Sequence, residues 1–344
     1  MRAAVLTEIG RLEVASVPDP VCGDNEVILR VEVCAICGTD LKFFTYGHRK
    51  LSPPLVLGHE IVGVAEEVGD AVAGVDVGAR YALSPSGTGC GTCFFCQAGK
   101  DELCGRYRGL AGKGGFAERV LVPEAMVRAG NLHRVPDHVE PLTAALTEPL
   151  ACVLNSYDHL DAGPGRPAVV LGAGPIGVLV TALLAADHSR PLFVTDIDEQ
   201  RLRRVPPAFG AELLVSGQDD VLARVRDATD GLGPAIVVVA APTPAAQQEA
   251  LRLVRKTGTV CFFAGLPRGT LSVEIDTNRI HYDQITVFGT SNCGVDHSRR
   301  ALELLADGVI ARDAVISHTF PLEEAVEAFQ FAGSREGLKV AIVP

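Results

Sequence analysis

The stretch that most constrains the fold is a short run of glycines between an apolar strand and an apolar helix. Residues 167–186 carry no charge. Within them Ala168–Leu171 reads as a strand that gives way to Gly172, Gly174 and Gly177, with Pro175 and Ile176 between the last two. The run is long enough for a membrane span, but its glycines and proline fit a buried strand, tight turn and helix better. A second strand, Leu192–Thr195, ends at Asp196, nineteen residues after Gly177. Strand, glycine turn, helix and an acid at that distance form a dinucleotide-binding fingerprint. The glycines let a pyrophosphate approach the helix N-terminus, where amides and dipole favour anions. A carboxylate at Asp196 binds both ribose hydroxyls of NAD and repels a 2′-phosphate. Arg201 lies close enough to leave some NADP use open, with NAD favoured. Strand-like runs at 235–239 and 259–264 alternate with helical segments, as a doubly wound parallel sheet requires. Pro206 and Pro207 interrupt the helix after Asp196, which is expected to stop near Arg204.

The residues before this unit are β-rich. Val27, Leu29, Val31 and Val33 alternate with Arg30 and Glu32, and clusters of Gly, Pro and Asp punctuate the strands. Two groups of metal-ligand residue types lie among them. Cys90, Cys93, Cys96 and Cys104 have the spacing of a closed tetrahedral zinc site with a structural role. Cys37 is followed by Thr39 and Asp40, and answered by His59 and Glu60. Thiolate, imidazole and carboxylate form a mixed set that zinc accepts with a position left open, and Asp40 is placed to hold the second nitrogen of His59. Ten cysteines in a chain read as intracellular point to metal or thiol chemistry rather than disulfides. Cys22, Cys34, Cys261 and Cys293 have no companion ligands in the sequence and read as core or surface residues. A formal net charge of −11 argues against a nucleic-acid or anionic-membrane surface. A soluble, cytoplasmic protein acting on a small molecule is expected.

Gly58, His59 and Glu60, continued by Gly63 and Gly69, resemble the catalytic-zinc signature of the zinc-dependent medium-chain alcohol dehydrogenases. The four-cysteine spacing resembles the structural-zinc lobe of the same family. The segments Gly114–Glu118 and His318–Phe329 resemble its barrel-closing and C-terminal elements. Glu148-Pro149 matches the polyol, sorbitol and threonine dehydrogenase branch, where the classical enzymes carry a cysteine. The resemblance implies a GroES-like β-rich catalytic domain at 1–151 and 292–344, with a structural-zinc lobe at about 88–106. A Rossmann dinucleotide-binding domain at 152–291 completes it, with the active site in the cleft between the domains. It implies two zinc ions per chain. Cys37, His59 and a carboxylate, Glu60 or Glu148, hold the catalytic one, and Cys90, Cys93, Cys96 and Cys104 the structural one.

The activity implied is hydride transfer between a secondary alcohol and NAD, zinc polarising the substrate oxygen and Thr39 passing the proton. The alternatives are a redox-neutral epimerase or lyase using the same bound NAD and zinc, and a non-catalytic member of the fold. The segment from Lys42 to Lys50 reads as a loop lining the substrate cleft, which makes Phe43, Tyr46, His48 and Arg49 pocket candidates. Lys42 stands where many relatives place a relay histidine. Thr290 and Ser291 stand about where sorbitol dehydrogenases carry an Arg-Tyr pair, so a polyol, cyclitol, sugar or amino alcohol all stay open. Cys152 falls one helical turn after Glu148 and reads as a packing residue. A homodimer or homotetramer is implied by the family alone.

Overall fold

The computed structural model describes residues 1–47, 51–85, 88–106, 109–267, 269–270 and 272–344. The chain divides into two compact units, Met1–Cys152 with Asn292–Pro344, and Val153–Ser291.

The first unit opens with β1 (Arg2–Glu8) and β2 (Arg11–Ser16), followed by β3 (Val27–Ala35), β4 (Leu55–Val56) and β5 (Glu60–Val68). Then come β6 (Arg80–Leu83), β7 (Arg119–Val122) and β8 (Leu132–Arg134). The second unit contributes β9 (Ala168–Leu171), β10 (Leu192–Asp196), β11 (Glu212–Val215), β12 (Ile236–Val239), β13 (Thr259–Phe262) and β14 (Thr286–Phe288). The chain then returns to the first unit with β15 (Ile316–Pro321) and β16 (Lys339–Val343).

In the first unit β2, β1 and β4 form one sheet, and a larger sheet runs β15-β16-β3-β5-β6-β8 with β7 also paired to β3. The alternation in β3 buries Val27, Leu29, Val31 and Val33 and leaves Arg30 in water. Their core is closed by aromatic contacts, with Phe329 on the C-terminal helix Ala325–Ser334 meeting Phe116 and Phe44 at centroid separations of 5.4 and 5.7 Å.

Register decides what this sheet presents at its end. β3 is antiparallel to β5 with Ala35 opposite Glu60, and antiparallel to β16 with Ala341 opposite Ala35. Side chains repeat every second residue along a strand, so Lys339 shares a face with Ala341. The first residues of β5 and β16 therefore converge on Ile36 and Cys37, where β3 ends.

The second unit is a six-stranded sheet in the order β11-β10-β9-β12-β13-β14, parallel throughout. Its order reverses at β9, the place where such sheets bind ligands beyond their carboxyl ends. β9 is buried along its whole length, as expected of a central parallel strand with both faces covered. The helix Pro175–Ala186 that follows is buried continuously from Gly177 to Leu184. At Gly177 an added Cβ would lie 1.8 Å from the carbonyl oxygen of Gly172, so only glycine lets helix and turn pack this closely. After β10 the helix lasts one turn, Glu199–Leu202, and the two prolines lead into a 3-10 turn at Pro207–Phe209.

One expectation is corrected. The segment from Lys42 onward is not a loop as far as Tyr46: residues Gly38–Tyr46 form a helix. Cys37 is its N-cap residue, and Asp40 accepts from the Cys37 amide at 2.9 Å, the acid three positions in that steadies a helix start. No described helix is long and apolar enough to cross a membrane.

Candidate active site

Cys37, His59 and Glu60 each offer a ligand atom, and these atoms all lie within 4.8 Å of one another. They come from three backbone settings at one sheet end: a helix N-cap, the residue before a strand, and that strand's first residue. Asp40 organises the first two. Its carboxylate, 1% exposed, accepts the amides of Cys37 and Gly58 and stands 3.3 Å from Nδ1 of His59. That contact leaves Nε2 as the ring's free ligand atom. Gly58 has φ +95°, and a Cβ there would meet the Cys34 sulfur at 2.7 Å, so glycine is what lets this amide reach Asp40. Burial opposes a charged His59, but the Asp40 charge and the bonds to Asp40 and Cys37 outweigh it. The imidazole pKa is raised well above its ordinary value. Thr39 is exposed, one residue beyond Gly38 on the first turn of the helix.

Glu60 is not idle. Both its oxygens accept from Nζ of Lys339 at 2.6 Å, and the same ammonium reaches the Ile36 carbonyl at 3.4 Å. The side chains of this pair are 0% and 4% exposed. Burial lifts the Glu60 carboxyl to about 6 against the pull of Lys339. Lys339 is raised in turn, burial opposing and the charge of Glu60 prevailing. At neutral pH the pair is therefore mainly in its charged form.

Glu148, in the helix Thr147–Tyr157, has different company. The thiol of Cys152, one turn on, lies 3.6 Å from its Oε1. Cys293 completes a cluster in which the three ligand atoms lie within 4.8 Å of one another. Cys152 is pushed well above the usual thiol range, first by its bond with Cys293, then by burial and the charge of Glu148. The reading of Cys293 as a residue without companions is thus corrected: distant in sequence, it is brought beside Glu148 by the return of the chain to the first unit. Its sulfur also lies 3.7 Å from Ser84 Oγ and 3.8 Å from Ser298 Oγ, two hydroxyls bonded to each other at 2.8 Å.

Cys90, Cys93, Cys96 and Cys104 also converge, all four sulfurs within 4.8 Å of one another. Cys93 lies 3.5 Å from Cys96 and 3.8 Å from Cys104. A tetrahedral zinc with bonds of about 2.3 Å sets sulfur–sulfur edges near ~3.8 Å, so these spacings fit the ion. The short helix Phe94–Gln97 carries the third sulfur back to the others. A bond from Thr92 draws Cys90 down to about 5, whereas desolvation and then Cys93 push Cys96 up to about 12. Cys90 and Cys96 are thus pushed in opposite directions within one cluster, a conflict that a shared cation would remove.

In the second unit Gly174 is the N-cap of the helix Pro175–Ala186, and Ile176 follows Pro175 in its first turn. Asp196, at the end of β10, accepts from the Ala173 amide at 2.7 Å and the Asp198 amide at 3.0 Å. The glycine turn and the acid therefore form one structure. Arg201 has its guanidinium 3.9 Å from Asp198 and extends toward Gly174, where a Cβ would meet it at 3.9 Å.

Of the remaining expected residues, Phe43 packs on the first unit's core and Tyr46 is 49% exposed. His48 and Arg49 lie outside the described residues. Lys339 was missed by sequence reasoning. Its only signal is a lone cation opening the apolar strand β16.

Residues 23–137 match the model of the alcohol dehydrogenase GroES-like domain, and residues 175–307 that of the zinc-binding dehydrogenases. The L-threonine 3-dehydrogenase of Pyrococcus furiosus is 30% identical over 96% of this chain and 94% of its own length. The sorbitol dehydrogenase of Halalkalibacterium halodurans is 29% identical, covering 100% of this chain and 99% of its own. Among solved structures, a zinc-binding dehydrogenase from Sinorhizobium meliloti bound to NADP superposes with a TM-score of 0.90. It is 30% identical and covers 100% of this chain and 99% of the other. The chain belongs to the zinc-dependent medium-chain alcohol dehydrogenase family, on its polyol and threonine dehydrogenase side.

Proposed function

We propose that this enzyme oxidises a secondary alcohol of the polyol, cyclitol, sugar or amino-alcohol type, with NAD as hydride acceptor and zinc at Cys37, His59 and a carboxylate. The observation that carries the reading is the convergence of Cys37, His59 and Glu60 within 4.8 Å, with the imidazole oriented by a buried Asp40. A bound zinc supplies Lewis acidity, and a bound nicotinamide supplies the hydride acceptor. The chain's own residues do the rest. Cys37 and His59 hold the cation, and Asp40 fixes the ring so that Nε2 faces it. Glu60, tied to Lys339, supplies a carboxylate of fixed position, and Glu148 a second one without an ion pair among the described residues. Thr39, exposed beside Cys37, relays the substrate hydroxyl proton to water. Cys90, Cys93, Cys96 and Cys104 hold a second zinc that staples their lobe. Asp196 and the turn at Gly172, Gly174 and Gly177 bind the dinucleotide, Asp196 favouring NAD over NADP.

On this reading residues 1–151 and 292–344 are the catalytic domain and 152–291 the dinucleotide domain of a cytoplasmic homodimer or homotetramer. The test is absorbance of reduced cofactor against a panel of polyols, cyclitols, sugar phosphates and amino alcohols, with NAD and NADP in parallel. Turnover with at least one class, faster with NAD, is expected. A zinc-replete preparation that forms no reduced cofactor from any of them would overturn the dehydrogenase reading and favour redox-neutral use of bound NAD.

A further inference from the structure

Gly112, Gly114, Gly115 and Phe116 offer no ligand atom and no titrating group, yet they run alongside the chain that delivers His59. We propose, on the reading that Cys37 and His59 hold a cation, that this strap is a positioning element with Gly114 as its positioning residue. It fixes the peptide between Gly58 and His59, and with it the reach of the imidazole.

The Val56 amide donates to the Gly112 carbonyl at 2.8 Å, and the Gly114 amide to the Val56 carbonyl at 2.8 Å. The Phe116 amide then donates to the Leu57 carbonyl at 3.1 Å, and the Gly115 amide to the Gly58 carbonyl at 3.0 Å. The Gly58 carbonyl lies in the same planar peptide as the His59 nitrogen, so this last bond sets the plane from which His59 departs. The Gly58 amide is taken on its other side by Asp40 at 3.2 Å. Gly58, at φ +95°, is thus gripped by both its polar groups. A glycine, the residue freest to turn, is held in one orientation just before a proposed ligand.

The strap is anchored from behind. The Phe116 carbonyl accepts from the Ala4 amide at 2.8 Å and Ala117 bridges to Ala3, which ties the strap to β1. Its closeness to the His59 segment requires glycine at one position above all. A Cβ on Gly114 would lie 2.4 Å from the carbonyl oxygens of both Leu57 and Gly58. Those are backbone atoms, so an alanine there must drive the strap and the His59 segment apart. A Cβ on Gly115 would instead meet side chains, Ile61 at 2.4 Å and Cys34 at 3.1 Å. One on Gly112 would meet the side chain of Leu55. Direct steric pressure on the Leu57 and Gly58 carbonyls is therefore particular to position 114.

The test is chelator competition on the zinc-replete protein, in which the phase that disappears in Cys37→Ser identifies the zinc at His59. Absorption of cobalt exchanged into that seat reports its geometry in parallel. Gly114→Ala is expected to weaken this zinc at least about tenfold, as when a group that orients a ligand is lost, and to shift the cobalt bands. A cooperative thermal transition and an unchanged four-cysteine zinc show that the variant has folded. Gly112→Ala, strained at φ +82°, should lose stability and keep the affinity. If Gly114→Ala does not fold, Gly115→Ala decides. It should weaken the zinc, and adding Ile61→Ala, which reopens the space, should restore it; an unchanged affinity in the first or no recovery in the second overturns the proposal. Wild-type affinity and cobalt bands in folded Gly114→Ala, or an equal loss in Gly112→Ala, would overturn it too and leave ordinary packing, with the zinc reading intact. A wild type with no zinc phase sensitive to Cys37→Ser would remove that reading and the proposal together.

Discussion

Replacing Lys339 by Met removes the one ammonium that meets Glu60 while keeping most of the side chain's volume. In the native protein both Glu60 oxygens lie 2.6 Å from Nζ, and the pair is essentially closed to water. The variant leaves a buried carboxylate without its counter-charge, a change that costs about 3–5 kcal/mol when one partner of a buried pair is lost. For a unit of this size each kcal/mol moves the midpoint by about 2–4 °C, so the transition of the first unit should fall by roughly 6–20 °C. The loss should also depend on pH with a definite sign. Glu60 titrates at about 6 in the native protein, and removing Lys339 pushes it higher. The penalty therefore grows as the pH rises from about 6 toward that higher value, and it shrinks as the pH falls back to 6, where the carboxyl is becoming neutral in both proteins. Glu60→Gln in the Lys339→Met background removes the orphaned charge and should recover most of the stability at pH 8. Calorimetry of the zinc-replete and chelated proteins at both pH values is the assay. A Lys339→Met loss under about 1 kcal/mol, or one independent of pH and not recovered in the double variant, would refute the charge argument and leave only packing.

Asp40→Asn should keep the fold but weaken zinc at Cys37 and His59 by about 10–100-fold in chelator competition, because the group orienting the imidazole loses its charge. Unchanged affinity would contradict the role given to Asp40. Gly177→Ala places a Cβ 1.8 Å from the Gly172 oxygen, so NADH binding measured by fluorescence should be lost or strongly weakened. Wild-type affinity would show that the turn is not where the dinucleotide binds. His133, buried on β8 with Nε2 unpartnered, is pushed down to about 4 by burial and then by Arg299. Its folded value lies below its ordinary one, so it contributes stability above pH 6.5 that is lost as the pH falls toward 4, up to ~3 kcal/mol. His133→Leu should flatten the acid limb of the stability curve by that amount, and an unaltered limb would reject the assignment.

The parts of the site that were legible in the sequence are those built from short-range spacing. Cys90, Cys93 and Cys96 lie close along the chain, and Cys37 and Asp40 share a single helix start. The glycine turn announces itself because only glycine satisfies its packing, and Glu148 and Cys152 meet because a helix repeats within four residues. What the sequence did not reveal depends on register between distant strands. Lys339 reaches Glu60 across 279 residues only because β16 and β5 both pair with β3, and a lone lysine in an apolar strand does not say which buried acid it will meet. Cys293, which lies in no strand, is hidden because only the return of the chain to the first unit brings it beside Glu148. The helical nature of Gly38–Tyr46 was obscured by two adjacent phenylalanines and a tyrosine, residues with little helix preference, where capping by Asp40 decides the outcome.

The most direct test of the central claim is zinc content measured together with alcohol-dependent NAD reduction in the wild type, Cys37→Ser and Cys93→Ser. Two zinc ions per chain and turnover are expected in the wild type, and one zinc with no turnover in Cys37→Ser. Cys93→Ser should lose the other zinc and, with it, stability of the first unit. A Cys37→Ser protein that kept both zinc ions and its turnover would contradict the placement of the reaction at Cys37 and His59.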